Sequence, residues 1–150
     1  MQERQVDIAI IGAGVVGLAT ALSLAPTGLQ IALFDAQPKP SAGLQGAALN
    51  DWDRRVTALT PESIRFLKSL DAWPLIEDSK RAGAYTDMFV WDSEGTGQVH
   101  FTATDLNIDS LGTIVESSLT TQALISATEA SSNLSSHWGT RLESMDIEAE

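Results

Sequence analysis

The sequence predicts an α/β fold built around a parallel sheet, and three observations predict it. A short β-branched run, Val6–Ile11, stands directly before a glycine-rich turn. A stretch of small and aliphatic residues, Val15–Leu24, follows the turn, and a second apolar run, Gln30–Phe34, closes on Asp35. Strand, helix and strand within about thirty residues make a βαβ unit, with a right-handed crossover and parallel strands.

Each element has its own local reason. Val6–Ile11 is continuous, short and β-branched, as expected of a strand buried on both faces. Val15–Leu24 reads as a helix that Pro26, Thr27 and Gly28 terminate. Ala36–Asp53, with Pro38, Pro40, Gly43 and Gly46, has no apolar period and reads as a long loop, a kind that is usually functional or mobile. Thr60 is placed to cap a helix with Pro61 in its first position and Ile64, Leu67 and Leu70 on one face.

Further along, Asp87–Asp92 and Gln98–Thr102 read as an antiparallel hairpin joined by Ser93–Gly97, and so lie outside the parallel sheet. Thr113–Glu116 is a short extended segment. Ser117 or Ser118 can cap a helix that runs to about Ala130 with Leu119, Ala123, Leu124 and Ala127 inward. Arg141–Glu150 alternates imperfectly and is expected to be a strand.

Composition narrows the function classes. Hydrophobic residues are 43% and charged residues 19% of the 150, the balance of a folded domain rather than a disordered segment. A formal net charge of −11 disfavours nucleic acid as a partner and offers no polybasic handle for anionic lipid. No cysteine is present, which removes disulfides, thiolate metal sites and catalytic thiols, and is compatible with a reducing cytoplasm. His100 and His137 lack metal-ligand spacing, so no metal is expected. The apolar stretch Val6–Leu24 is interrupted by Asp7, Gly12, Gly14 and Gly17 and has no basic front end; it reads neither as a signal peptide nor as a membrane span.

The chemistry is carried by Gly12-Ala13-Gly14-Val15-Val16-Gly17, a G-x-G-x-x-G sequence. Such a motif is weak alone, but this one follows a strand and opens a helix. Gly12 permits the tight turn, Gly14 lets backbone approach a pyrophosphate, and Gly17 lets the helix lie close on the strand. The free N–H groups at the helix start, those of Val15 and Val16 among them, then face the phosphates. Asp35 stands at the tip of the second strand, where an acid binds ribose hydroxyls. The four elements together predict a site for the ADP half of FAD or NAD in a Rossmann-like unit. Asp35 disfavours NADP there, because a 2′-phosphate would meet a carboxylate. The absence of cysteine removes the disulfide-reductase branch of FAD proteins.

From Asp7 onward the chain resembles the ubiquinone-biosynthesis FAD-dependent hydroxylases, a branch of the aromatic-hydroxylase flavoproteins related to p-hydroxybenzoate hydroxylase. Four stretches carry the resemblance: Asp7–Ala19, Arg55–Leu59 leading into Ser63–Leu70 and Trp73, Met88–Asp92, and Ile114–Leu119. It implies an FAD-binding βαβ unit with a parallel sheet, joined by an antiparallel hairpin in which residues 85–112 begin the substrate-side sheet. It also implies that the fold is incomplete, because the family's later Asp-Gly and Gly-Asp cofactor motifs do not occur in this N-terminal part.

For individual residues, the resemblance implies that Arg55 reaches the FAD pyrophosphate with its planar fork of donors. Glu116 falls where relatives place a polar residue near the flavin or its ribityl chain; a helix-start carboxylate favoured by the dipole is the equal alternative. Trp91 reads as a core tryptophan. Asp35 stands where many relatives carry Glu.

For the whole enzyme, the resemblance implies hydroxylation of an aromatic ring, a polyprenyl phenol or benzoquinone precursor, with O2 and by way of a flavin hydroperoxide. The electron donor is NAD(P)H or another reductant. A cytoplasmic location peripheral to the inner membrane, in a membrane-associated biosynthetic complex, goes with such a substrate. No residue of this chain reads as its general base. Rival readings are another FAD-dependent oxidoreductase, an NAD-dependent dehydrogenase, or a truncated product that binds nucleotide weakly and catalyses nothing.

Overall fold

The β-branched run before the glycine turn forms β1 (Ile8–Ile11), the first strand of a computed structural model that describes residues 5–40 and 52–146. The chain divides into two compact units, residues 1–43 with 121–150, and residues 44–120.

In the first unit α1 (Val15–Leu24) follows β1 and ends in a 3-10 turn, Ala25–Thr27. Gly28 closes that turn at φ +78, a left-handed conformation that residues with a Cβ avoid. The chain then forms β2 (Ile31–Asp35), parallel to β1 with Ile8 opposite Ile31 and Ile11 opposite Phe34. A third strand, β8 (Leu134–Trp138), pairs parallel with the other edge of β2, so the order is β1-β2-β8. This is an α/β unit of Rossmann type. β2 is its centre: Ile31, Ala32 and Leu33 are buried, as are Leu18, Ala21 and Leu22 of α1.

Two expectations need correction here. Among the described residues β1 pairs with β2 alone, and it alternates half-buried and exposed residues instead of burying both faces, with Ile11 left open. The terminal strand lies earlier than expected, at Leu134–Trp138. Residues 141–146 carry no regular structure, and 147–150 lie outside the described residues. A strand that borders β2 draws its stability from the ladder and from burial of β2, so its own sequence, Leu-Ser-Ser-His-Trp, need not alternate.

The second unit begins with β3 (Val56–Leu59) and α2 (Pro61–Ser69). Thr60 caps α2 as expected, accepting from the Ser63 N–H at 3.2 Å. Leu67 and Leu70 are buried, while Ile64 is half-buried. A short helix, α3 (Trp73–Asp78), and a short strand, β4 (Gly83–Tyr85), come next. β5 (Asp87–Trp91) and β6 (Gln98–Thr102) form the expected antiparallel hairpin, with Phe89 opposite His100. β7 (Gly112–Glu116) then pairs antiparallel with both β3 and β4, in the order β3-β7-β4. β3, α3 and β4 were not foreseen; each is too short to show a period.

Trp91 is also a correction. It is 72% exposed, because β5 and β6 pair only with each other and leave both faces of the hairpin open among the described residues. From β7 the chain runs directly into α4 (Ser117–Glu129). Leu119, Ala123 and Leu124 are buried there as expected; Ile125 and Thr128 are buried too, and Ala127 only half-buried.

Candidate dinucleotide-binding site

The end of β1, the start of α1 and the tip of β2 meet at the carboxyl edge of the parallel sheet, where open α/β sheets bind ligands. Gly12 leaves β1 at φ +104, a conformation nearly closed to other residues, and its N–H donates to the Phe34 carbonyl at 2.7 Å. That bond ties the turn to the neighbouring strand. Gly17, one turn into α1, lies against the same turn: a Cβ there would stand 1.8 Å from the Gly12 carbonyl oxygen. The helix can approach this closely only without a side chain at that position.

Gly14 differs. It is the N-cap of α1 in an extended conformation, and a Cβ at this position would meet nothing within 4 Å. Nothing in the fold therefore requires glycine there, whereas a ligand's pyrophosphate close to the backbone would. The helix start carries no side-chain cap and no acidic residue in its first turn. Its positive end and the amides of the first turn are thus not offset by a carboxylate on the helix itself. Val16 is 79% exposed beside them.

Asp35 completes the edge. One carboxylate oxygen accepts from the Ala13 N–H at 2.7 Å and the other from the Gln37 N–H at 2.7 Å. These two amides fix the carboxylate beside the glycine turn, and each oxygen keeps acceptor capacity for a ribose hydroxyl. On its other side the Asp35 carbonyl accepts from the Thr140 N–H at 2.8 Å, and Trp138 is its register partner across the ladder. The end of β8 is a neighbour of the site that sequence reasoning missed. Asn133 fixes the entry of β8 by donating to the Ala25 and Leu29 carbonyls, bonds to residues more than a hundred positions away that no local pattern announces.

Gly12, Gly14, Val15, Val16, Gly17 and Asp35 are thereby brought together in one unit. Arg55 and Glu116 belong to the other. The Arg55 side chain is 83% exposed, and its Nε lies 3.6 Å from Asp53 Oδ1. Glu116 is buried and forms a paired bond with Arg81, at 2.7 Å to Nε and 2.6 Å to Nη2. It also accepts the Asp53 N–H at 2.6 Å. Neither of the two readings left open for Glu116 included this partner. Asp53 itself is held below the usual carboxylate range, first by the Arg55 N–H, then by the Ser118 N–H and hydroxyl and the Arg55 charge, with burial opposing.

Among the described residues no group of three or more His, Asp or Glu is placed to hold a metal ion, and no helix is long and apolar enough to cross a membrane. The glycine turn, uncapped helix start and strand-tip carboxylate do fit the ADP portion of FAD.

Comparison with known proteins gives that geometry its class. The sequence profile described as DAO, FAD dependent oxidoreductase, matches residues 7–82, and the chain belongs to this family. Among its relatives are ubiquinone-biosynthesis hydroxylases. The chain is 34% identical over 131 residues to the 3-demethoxyubiquinol 3-hydroxylase of Escherichia coli K12, covering 87% of this chain and 32% of that protein. It is 28% identical over 137 residues to the mitochondrial ubiquinone biosynthesis monooxygenase COQ6 of Dictyostelium discoideum, covering 85% of this chain and 28% of that one. The chain therefore spans about a third of the length of these relatives.

Solved structures agree on the fold. PqsL of Pseudomonas aeruginosa, described as "a probable FAD-dependent monooxygenase", superposes with a TM-score of 0.67 at 15% identity, over 97% of this chain and 36% of that one. The p-nitrophenol 4-monooxygenase PnpA of Pseudomonas putida gives 0.66 at 18%, over 99% and 35%.

Proposed function

We propose that this chain is the nucleotide-binding part of an FAD-dependent monooxygenase that hydroxylates an aromatic ring, a polyprenyl phenol or benzoquinone precursor of ubiquinone. The observation that carries the cofactor is the exposed, uncapped start of α1 beside Asp35. The observation that carries the reaction class is the 34% identity to a 3-demethoxyubiquinol 3-hydroxylase.

In this reading the amides at Gly14–Gly17 bind the pyrophosphate, Asp35 accepts the ribose hydroxyls, and Arg55 donates to a phosphate with its exposed guanidinium. Bound FAD would supply the electron transfer to O2 and the delivery of one oxygen atom to a ring carbon. The residues of this chain bind and orient the cofactor, and no catalytic residue is assigned among them. Residues 85–112 are assigned to the substrate-side sheet, where the open faces of β5 and β6 offer Phe89 and Trp91. The reductant is NAD(P)H or another electron donor, and the lipid tail of the substrate places the enzyme peripheral to a membrane, in a biosynthetic complex.

A gene carrying this sequence at the length of its relatives is expected to restore ubiquinone in Escherichia coli lacking 3-demethoxyubiquinol 3-hydroxylase. The 150 residues alone are expected to restore none, and to lose FAD on gel filtration. Accumulation of the unhydroxylated precursor by cells making the long form, with flavin bound, would contradict the substrate while leaving the cofactor site intact. Stoichiometric FAD retained by the 150 residues would contradict the weak binding expected of them.

A further inference from the structure

Asp35 accepts the ribose hydroxyls in the proposed function, and its carboxylate is fixed from two sides. Toward the glycine turn, the Ala13 N–H donates to one oxygen at 2.7 Å. The other oxygen accepts at 2.7 Å from the N–H of Gln37, two residues beyond the end of β2. An amide outside the strand directs a carboxylate only while its own backbone is held. What holds Gln37 is the chain that leaves β8, and all these residues lie in one compact unit.

β2 and β8 run in register up to Asp35 and Trp138, the last residues of the two strands. Parallel strands that simply continued would carry Thr140 opposite Gln37. Instead the Gly139 N–H donates to the Gln37 carbonyl at 2.9 Å, and the Thr140 N–H turns back to the Asp35 carbonyl at 2.8 Å. The reversal falls at Gly139, whose φ of +67 is in the left-handed region that residues with a Cβ avoid. A Cβ on Gly139 would meet nothing within 4 Å, so crowding does not select glycine there. The backbone turn does.

The geometry points to Gly139 as a positioning residue for the ribose site: its left-handed turn folds the end of β8 back onto the end of β2, holds Gln37, and so keeps the Asp35 carboxylate set for a ribose. The link runs from Gly139 and Thr140 through the Asp35–Gln37 backbone to the Gln37 N–H and the Asp35 oxygens. A substitution at 139 alters no group that touches the nucleotide. It is therefore expected to change how well a ribose is told from a 2′-deoxyribose, and to leave pyrophosphate binding at the start of α1 as it is. The inference rests on the assignment of Asp35 to the ribose.

Two ligands separate the claims. ADP and 2′-deoxy-ADP are titrated into the 150-residue chain, with binding followed by backbone amide NMR and folding by thermal melts. The wild type is expected to prefer ADP roughly ten-fold, the value of one hydrogen bond to a charged acceptor. Asp35→Ala is expected to abolish that preference. Gly139→Val should reduce it to about two-fold with the affinity for 2′-deoxy-ADP unchanged, and Gly139→Ala should fall between. Gly139→Asn is expected to keep the wild-type preference, because Asn tolerates the left-handed region. In the Asp35→Ala background Gly139→Ala should make no further difference, since residues acting through one another do not add. Should Gly139→Val fail to fold, the contrast between Gly139→Ala and Gly139→Asn carries the test. Equal weakening of both nucleotides by Gly139→Ala, or a preference that it leaves intact, would overturn the positioning role alone. A wild type without preference, or an Asp35→Ala chain that retains it, would overturn the assignment of Asp35 and the positioning role with it.

Discussion

Replacement of Gly17 by Ala is expected to unfold the βαβ unit or to destabilise it by about 3 kcal/mol or more, at the upper end of what overpacking costs. The added carbon would stand 1.8 Å from the Gly12 carbonyl oxygen and 3.0 Å from its carbon, and both are backbone atoms with no rotamer to change. Relief requires moving α1 away from β1 or displacing Gly12. The latter already sits at φ +104 and donates to Phe34, so either route breaks the turn. Gly14→Val is the counterpart. A Cβ there meets nothing within 4 Å and φ is ordinary, so this variant is expected to fold with a loss of about 1 kcal/mol from the poorer N-cap. Its FAD affinity is expected to collapse, because the side chain occupies the approach of the pyrophosphate. Thermal melts and FAD titrations on the two variants check this: a folded Gly17→Ala chain of wild-type stability, or a Gly14→Val chain with wild-type affinity, would remove the division of labour between the two glycines.

Arg81→Met is expected to cost about 3–5 kcal/mol, because it strands the buried Glu116 carboxylate without a counter-charge. The magnitude reflects desolvation and not the net worth of the pair, so replacing both partners should recover much of it. In Arg81→Met/Glu116→Leu the remaining deficit is expected to be about 1–3 kcal/mol, since the Asp53 N–H loses its acceptor. Denaturant unfolding of wild type, the single and the double variant measures the pattern. A double variant less stable than Arg81→Met would mean that a stranded Glu116 carboxylate is not what costs the single variant its stability.

The parts of this fold that were legible in the sequence are those whose causes are local. Val15–Leu24 and the cap and proline of Thr60-Pro61 carry their own boundaries, and the hairpin carries its turn. β8 was not legible, since Leu134–Trp138 owes its conformation to the ladder with β2, formed with residues more than a hundred positions away in the chain. Instead, the alternation of Leu142 and Met145 attracted the strand assignment, and in the structure both are exposed. The same limit applies to the site. The glycine turn and Asp35 lie on neighbouring segments whose spacing announces a nucleotide. Glu116 admitted two readings because nothing in its own segment names Arg81, which is 35 residues distant, as its partner. Trp91 looked like core because aromatic residues usually find cover, and the hairpin that bears it offers none among the described residues.

Backbone amide NMR of the chain, recorded as ADP is added, bears most directly on where the nucleotide half sits. Saturable shifts concentrated at Gly12–Gly17 and at Asp35, and absent in Gly14→Val, are the result expected. Shifts confined to other segments, or no shift at millimolar nucleotide from a chain shown to be folded, would contradict it.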